Sequence, residues 1–277
     1  MPIILNDFSK AALVQAIEAN LHAYYAHLRH WPRAEIHDAP DLLWGVTDVP
    51  HPLLNMALRA RLTPENADPA IATVIRQCQT RHLPLMWGVG PNDRPQDLGG
   101  RLLAVGFKHI GGPAGMAADL QTIDESLPGP PALHIQPVED ESSTRTHAAI
   151  VTKVFDMPEF VIEAFVDLAR YLNATPGRPW RNYLGLLAGE PVATATLFLG
   201  AGVAGIYSVA TLPRVRGQGI GSALTLAPLL EARAEGYRIG VLHATKMGFP
   251  VYQRLGFREY CRIENYLWLP GDGEQAS

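Results

Sequence analysis

Hydrophobic and polar positions along this chain follow two periods, one near 3.6 residues and one near 2, that take turns from end to end. In the second half the apolar run 133–138 predicts a strand, 143–155 and 159–172 predict helices, and 181–187, 191–199 and 203–209 predict three successive strands. Residues 222–235 then place Ala223, Leu224, Leu226, Ala227, Leu229, Leu230 and Ala234 at helical spacing. A strand ending near Ala244 and a short helix carrying Tyr252 follow. The first half uses the same grammar: a helix over 9–28, strands over 42–47 and 53–62, a helix over 69–81, a strand over 84–89, a helix over 95–105 and a last strand reaching Leu120. The alternation predicts a mixed α/β (α+β) protein.

A polar, proline-rich stretch, DESLPGPP at 124–131, separates the halves. It predicts a first domain over 1–123, a linker over 124–131 and a second domain over 132–277, a length suited to two domains. The halves align when Gly106 and Phe107 are laid over Gly256 and Phe257, which puts Leu102 where Tyr252 stands.

Chemistry concentrates in the second half. Residues 209–221, VATLPRVRGQGIG, read as a strand feeding a glycine-rich turn that opens a helix. The first N–H groups of a helix have no intrahelical partner and the helix dipole is positive there, so an anion is stabilised without a metal. Glycine lets a diphosphate approach the backbone and Arg216 adds a fixed charge. A Walker A loop is excluded by the missing Gly-Lys-Ser/Thr, and a dinucleotide fingerprint is only approximated by Gly217, Gly219 and Ser222. The corresponding place in the first half, RLTPENADPAI, contains no glycine.

The pattern Arg-x-x-Gly-x-Gly over Arg216 to Gly221, followed about 30 residues on by Tyr252-x-x-Leu255-Gly256-Phe257, resembles the GNAT superfamily of N-acyltransferases. The resemblance implies two tandem GNAT-like domains, each a mixed, mostly antiparallel sheet flanked by helices, the first degenerate and without a CoA loop. It implies that Arg216, Gly217, Gln218, Gly219, Ile220, Gly221 and Ser222 take the pyrophosphate of acetyl-CoA, that the backbone of Val209, Ala210 and Thr211 meets the pantetheine arm, and that Thr245 stands where relatives place a cofactor-touching Asn. The implied activity is transfer of an acetyl group from acetyl-CoA to a primary amine of a small molecule, by direct attack in a ternary complex. Tyr252 is the candidate proton donor to the leaving thiolate, since an ordinary phenol stays protonated at neutral pH. Relatives often carry a Glu on the strand before the loop, but GVAGIYSVAT has no acid; a water chain is the default base, with His243, Glu163 and Glu190 as remoter candidates. Phe155, Asp156, Met157, Trp180 and Tyr207 are candidate walls of the acceptor pocket. The alternative is a non-catalytic acyl-CoA sensor or scaffold that keeps the loop without turnover.

Composition trims these readings. The net charge of −4 and the lack of any Lys/Arg-rich run argue against nucleic acid as a partner. No basic n-region and no membrane-length apolar run are visible, which predicts a cytoplasmic protein without a membrane partner, a monomer or homodimer. Cys78 and Cys261 have no metal-ligand spacing and are expected as reduced thiols, and His22, His27 and His30 are expected as a solvated or interfacial face rather than a metal site.

Overall fold

The computed structural model describes residues 3–126 and 129–271; Leu127 and Pro128 of the expected linker lie outside the described residues. In chain order the elements begin with α1 (Lys10–Ala26), β1 (Ala34–Asp38), β2 (Leu43–Thr47), β3 (Met56–Leu58), α2 (Pro64–Thr80), β4 (Leu85–Val89), α3 (Leu98–Ala104), β5 (Lys108–His109) and β6 (Ala114–Asp119). They continue with β7 (Leu133–Pro137), α4 (Glu141–Val154), α5 (Val161–Asn173), β8 (Trp180–Leu187), β9 (Glu190–Gly200), β10 (Val203–Thr211) and α6 (Ile220–Ala234). The last are β11 (Ile239–Ala244), α7 (Phe249–Arg254), β12 (Arg258–Arg262) and β13 (Glu264–Trp268).

These elements form two compact units, but the units do not part at 124–131. One holds Met1–Tyr24 with Ala114–Tyr260, and the other Tyr25–Pro113 with Cys261–Ser277. The chain therefore changes unit three times. The first unit contains a seven-stranded sheet in the order β12-β6-β11-β10-β9-β8-β7, and the second a six-stranded sheet in the order β1-β2-β3-β4-β13-β5. In each, an interior strand comes from the other half of the sequence: β6 pairs antiparallel with β11, and β13 antiparallel with β4. The expected tandem, mostly antiparallel architecture is present, with its boundaries redrawn by this exchange.

Both units share a βαβ crossover: β3 and β4 run parallel around α2, and β10 and β11 run parallel around α6. Both also end a helix in the same way. Gly106 at φ 93° and Gly256 at φ 102° take the left-handed conformation, and the next N–H bonds back, Phe107 to Leu102 at 3.1 Å and Phe257 to Tyr252 at 3.0 Å. The alignment of these glycines in the sequence is thus a likeness of backbone.

α4 starts at a capping box in which the Asp140 side chain accepts from the Ser143 N–H at 2.7 Å. It carries the buried His147 against the sheet. α1 reaches the same sheet through Asn20, whose amide donates to the Gly200 carbonyl at 2.9 Å. Gly205 on β10 makes that approach possible, because a Cβ there would run into the Asn20 side chain and lie 2.7 Å from the Tyr207 ring.

Two outcomes follow from this packing. Gly205→Ala should cost about 1–3 kcal/mol by forcing Asn20 off the sheet, read as a lower urea midpoint; an unchanged midpoint would contradict the close approach. Burial pushes the His147 imidazole down to about 4 from the ordinary 6.5. The folded protein then refuses a proton that the unfolded chain accepts, so this stabilisation is complete above about pH 6.5 and is lost as pH falls toward 4. Between those values it should amount to on the order of 3 kcal/mol, and His147→Asn should flatten the dependence of unfolding free energy on pH.

Candidate active site

The parallel pair β10–β11 is joined over Ala204, Gly205 and Ile206, opposite Gly240, Val241 and Leu242. Beyond Ile206 the two strands run on, β10 to Thr211 and β11 to Ala244, without further paired residues between them. On the other side of β10 the register with β9 passes from Tyr207–Thr196 to Ala210–Thr194. Ser208 and Val209 thus face the single residue Ala195, a β-bulge. The bulge lies where β10 leaves β11, so the backbone of Val209, Ala210 and Thr211 borders the opening between the strands.

The glycine turn follows at once. Gly217 and Gly219 have φ of 78° and 81°, the region that glycine enters without a steric penalty. Gly219 is the N-cap of α6, with no side-chain cap and no acid in the first turn. A Cβ at Gly217 would meet nothing within 4 Å. Arg216 donates from Nε to the Thr211 carbonyl at 3.0 Å, and among the described residues no carboxylate pairs with it, whereas neighbouring Arg214 is bound to Glu190 at 2.6 Å. Gln218 is exposed, Gly221 is partly buried beside Thr211, and Ser222 and Ile220 are buried on the inner side of the first turn. Open backbone donors, a positive helix end and an uncompensated guanidinium suit a diphosphate.

The second unit shows what this arrangement looks like when closed. α2, at the equivalent place in its crossover, starts with Thr63 as N-cap accepting from the Asn66 N–H, Pro64 in the first turn and Glu65 beside them. A side chain, a proline and a carboxylate occupy what an anion would need.

Tyr252 lies on α7 with its ring against Gly248 and edge-on to Phe257, their centroids 6.2 Å apart. Burial raises its phenol to about 12, against a side-chain hydrogen bond with Thr225. Thr225 itself donates to the Gly221 carbonyl at 2.8 Å, in the first turns of α6. Thr225 had no signal in the sequence: a threonine in a helix interior ordinarily bonds its own backbone. Thr245 is exposed, and its hydroxyl accepts from the Gly248 N–H at 3.2 Å, opening the turn into α7.

Trp180 and Tyr207 come together, but through a residue that the sequence reading did not single out. Tyr24 of α1 stacks on Trp180 at 4.2 Å and on Tyr207 at 3.9 Å. The Tyr207 hydroxyl donates to Asn20 at 2.7 Å and Trp180 Nε1 to Asn182 at 3.2 Å. Phe155 and Asp156 instead sit exposed at the end of α4, with Asp156 at φ 53° and Met157 half-buried beside it. Nothing in the described contacts joins them to the aromatic group. Among the candidate bases, Glu163 pairs with Arg145 and Glu190 with Arg214, both on the surface. His243 is on β11 just past the last residue paired with β10, its ring 6.2 Å from Tyr207. Neither of its nitrogens has a hydrogen-bond partner among the described residues, and burial pushes it down to about 4.

Residues 180–259 match the family model described as an acetyltransferase (GNAT) domain. A GCN5-related N-acetyltransferase from Kribbella flavida is 20% identical, with a TM-score of 0.70 over 92% of this chain and 96% of its own. One from Sphaerobacter thermophilus is 16% identical, with a TM-score of 0.60 over 93% and 91%. A tandem GNAT protein from the clavulanic acid biosynthesis pathway is 15% identical, with a TM-score of 0.60 over 98% of each chain. No curated protein sequence matches this one. The chain as a whole has the fold of the GCN5-related N-acetyltransferases, tandem members among them.

Proposed function

We propose that this chain transfers an acetyl group from acetyl-CoA to a primary amine of a small molecule. The observation that carries the reading is the start of α6: left-handed Gly217 and Gly219, an N-terminus with no side-chain cap, and Arg216 without a carboxylate, all at the end of a strand that has parted from its neighbour. Arg216 and the backbone from Gly217 to Ser222 would hold the pyrophosphate, and the opening between β10 and β11 would admit the pantetheine arm. Thr245 is exposed beside that opening and would meet the arm on the β11 side.

Attack of the amine nitrogen on the thioester carbon forms the C–N bond as the C–S bond breaks. The backbone N–H groups around Val209 would carry the charge that gathers on the carbonyl oxygen. Tyr252, protonated at every working pH with its phenol raised to about 12, would give its proton to the departing thiolate. The amine's proton would pass to solvent through water. His243 would be neutral at pH 7 but, lowered to about 4, too weak a base to keep that proton. Glu163 and Glu190 are engaged by arginines at the surface. Phe155, Asp156, Trp180 and Tyr207 remain the proposed acceptor contacts, and a monomer or homodimer with no nucleic-acid or membrane partner is the simplest assembly.

Calorimetric titration with acetyl-CoA should show binding that weakens about tenfold to a hundredfold in Arg216→Ala/Gly219→Asp, the scale of lost charge-assisted hydrogen bonds; no binding by the unaltered protein would sink the proposal. Tyr252→Phe should keep acetyl-CoA affinity while thiol release with an amine library falls about a hundredfold. Persistent binding with no thiol release from any amine, in the unaltered protein too, would favour the sensor reading instead.

A further inference from the structure

The fork between β10 and β11 has two unlike faces. On β11 a Cβ at Gly240 would lie 3.1 Å from Leu229 of α6, so Gly240, Leu242 and Ala244 look toward that helix. Leu242 and Ala244 join Ile206, Ala210 and Tyr252 in one continuous apolar core, which closes the α6 face. The other face carries α1. There the first side chains past the last paired residues, Ile206 and Leu242, are Tyr207 on β10 and His243 on β11, their rings 6.2 Å apart.

Tyr207 is fixed from three directions. Its ring lies over Gly205, where a Cβ would come within 2.7 Å of it. Its hydroxyl donates to Asn20 at 2.7 Å. Tyr24 stacks on it at 3.9 Å and is itself stacked on Trp180 at 4.2 Å. A ring packed in this way yields little to added volume. His243 makes no hydrogen bond among the described residues, both ring nitrogens being shielded from solvent, so at this place it stands as bulk.

Along β10 the order is fork, Tyr207, bulge, Thr211 and then the glycine turn. An arm anchored by its pyrophosphate at that turn and lying between the strands points its thioester end at the closed end of the fork. An acyl chain that lengthens there is refused by the core on the α6 face and meets Tyr207 and His243 on the α1 face.

We propose that Tyr207 and His243 set the length of the acyl group: together they end the acyl pocket, so that acetyl is accepted and butyryl or a longer chain is not. This rests on the acyl-CoA reading above. Tyr207, an acceptor contact in that reading, then borders the acyl group as well. With Gly205 beneath it, removal of the ring opens a slot down to the backbone of β10.

The test is calorimetric titration of the unaltered protein, Tyr207→Ala, Tyr207→Phe and His243→Ala with CoA, acetyl-CoA, butyryl-CoA and hexanoyl-CoA. The unaltered protein should bind the two longer thioesters about tenfold more weakly than acetyl-CoA, the scale of forcing methylenes into a packed site. Tyr207→Ala and His243→Ala should each bring them to within about threefold of acetyl-CoA. Tyr207→Phe, which keeps the ring and loses the bond to Asn20, should keep the discrimination. His243→Ala breaks no hydrogen bond among the described residues and carries the test if Tyr207→Ala fails to fold. Equal binding of all three thioesters by the unaltered protein overturns the role, and so does discrimination that survives in His243→Ala or is lost in Tyr207→Phe. Those results with CoA still bound leave the acyl-CoA reading standing, whereas an unaltered protein that binds neither CoA nor any thioester overturns both.

Discussion

Parallel strands linked by a helix ordinarily stay hydrogen-bonded along their common length, because each buried backbone group needs a partner. In this protein β10 and β11 are joined over three residues each and then part. Most of the site's geometry depends on that parting. It leaves an opening edged by backbone, and it lets β10 bulge at Ser208 and Val209. It also brings the strand's end to the start of α6, where the helix dipole and open N–H groups face the same region. At the bulge a side chain replaces a ladder bond: the Thr194 hydroxyl donates to the Ser208 carbonyl.

The two units run the same βαβ crossover, and the difference in chemistry comes down to how each helix begins. At α2 the first-turn donors are spent on Thr63, with Pro64 and Glu65 in attendance, which stabilises the helix and closes it to anions. At α6 a left-handed glycine takes the cap position and offers no side chain. The helix gives up a capping bond, commonly about 1 kcal/mol, and keeps its donors open. The same substitution of purpose is seen further on, where Leu102 is fully buried in the core at the position matching Tyr252. One backbone thus serves once as scaffold and once as site.

The exchange of strands binds the halves of the sequence into this arrangement. β6 lies between β11 and β12, and β13 between β4 and β5. Neither sheet is complete without a strand from the other half. A cut at 124–131 would remove an interior strand from each, although the polar composition there reads as a boundary.

What the amino-acid sequence determined by itself was local. Helical and alternating periods placed most elements to within a few residues, because burying one face of a helix or strand writes its period into the chain. Glycines at 217 and 219 stood out in the turn and those at 106 and 256 in the aligned endings, and all four take the left-handed backbone that other residues resist. Arg216, the turn after it and Tyr252 could be read because short-range spacing carries their geometry. β1, β12 and β13 escaped that reading: they are short, and their exposed and half-buried residues give no clean alternation. Only the tertiary structure decided which strand completes which sheet, that β10 bulges at Ser208 and Val209, and that Tyr24 and Asn20 reach Tyr207 of β10 from the N-terminal helix. Pairing between residues far apart in the chain is selected by the whole packed fold, and no local period or propensity records it.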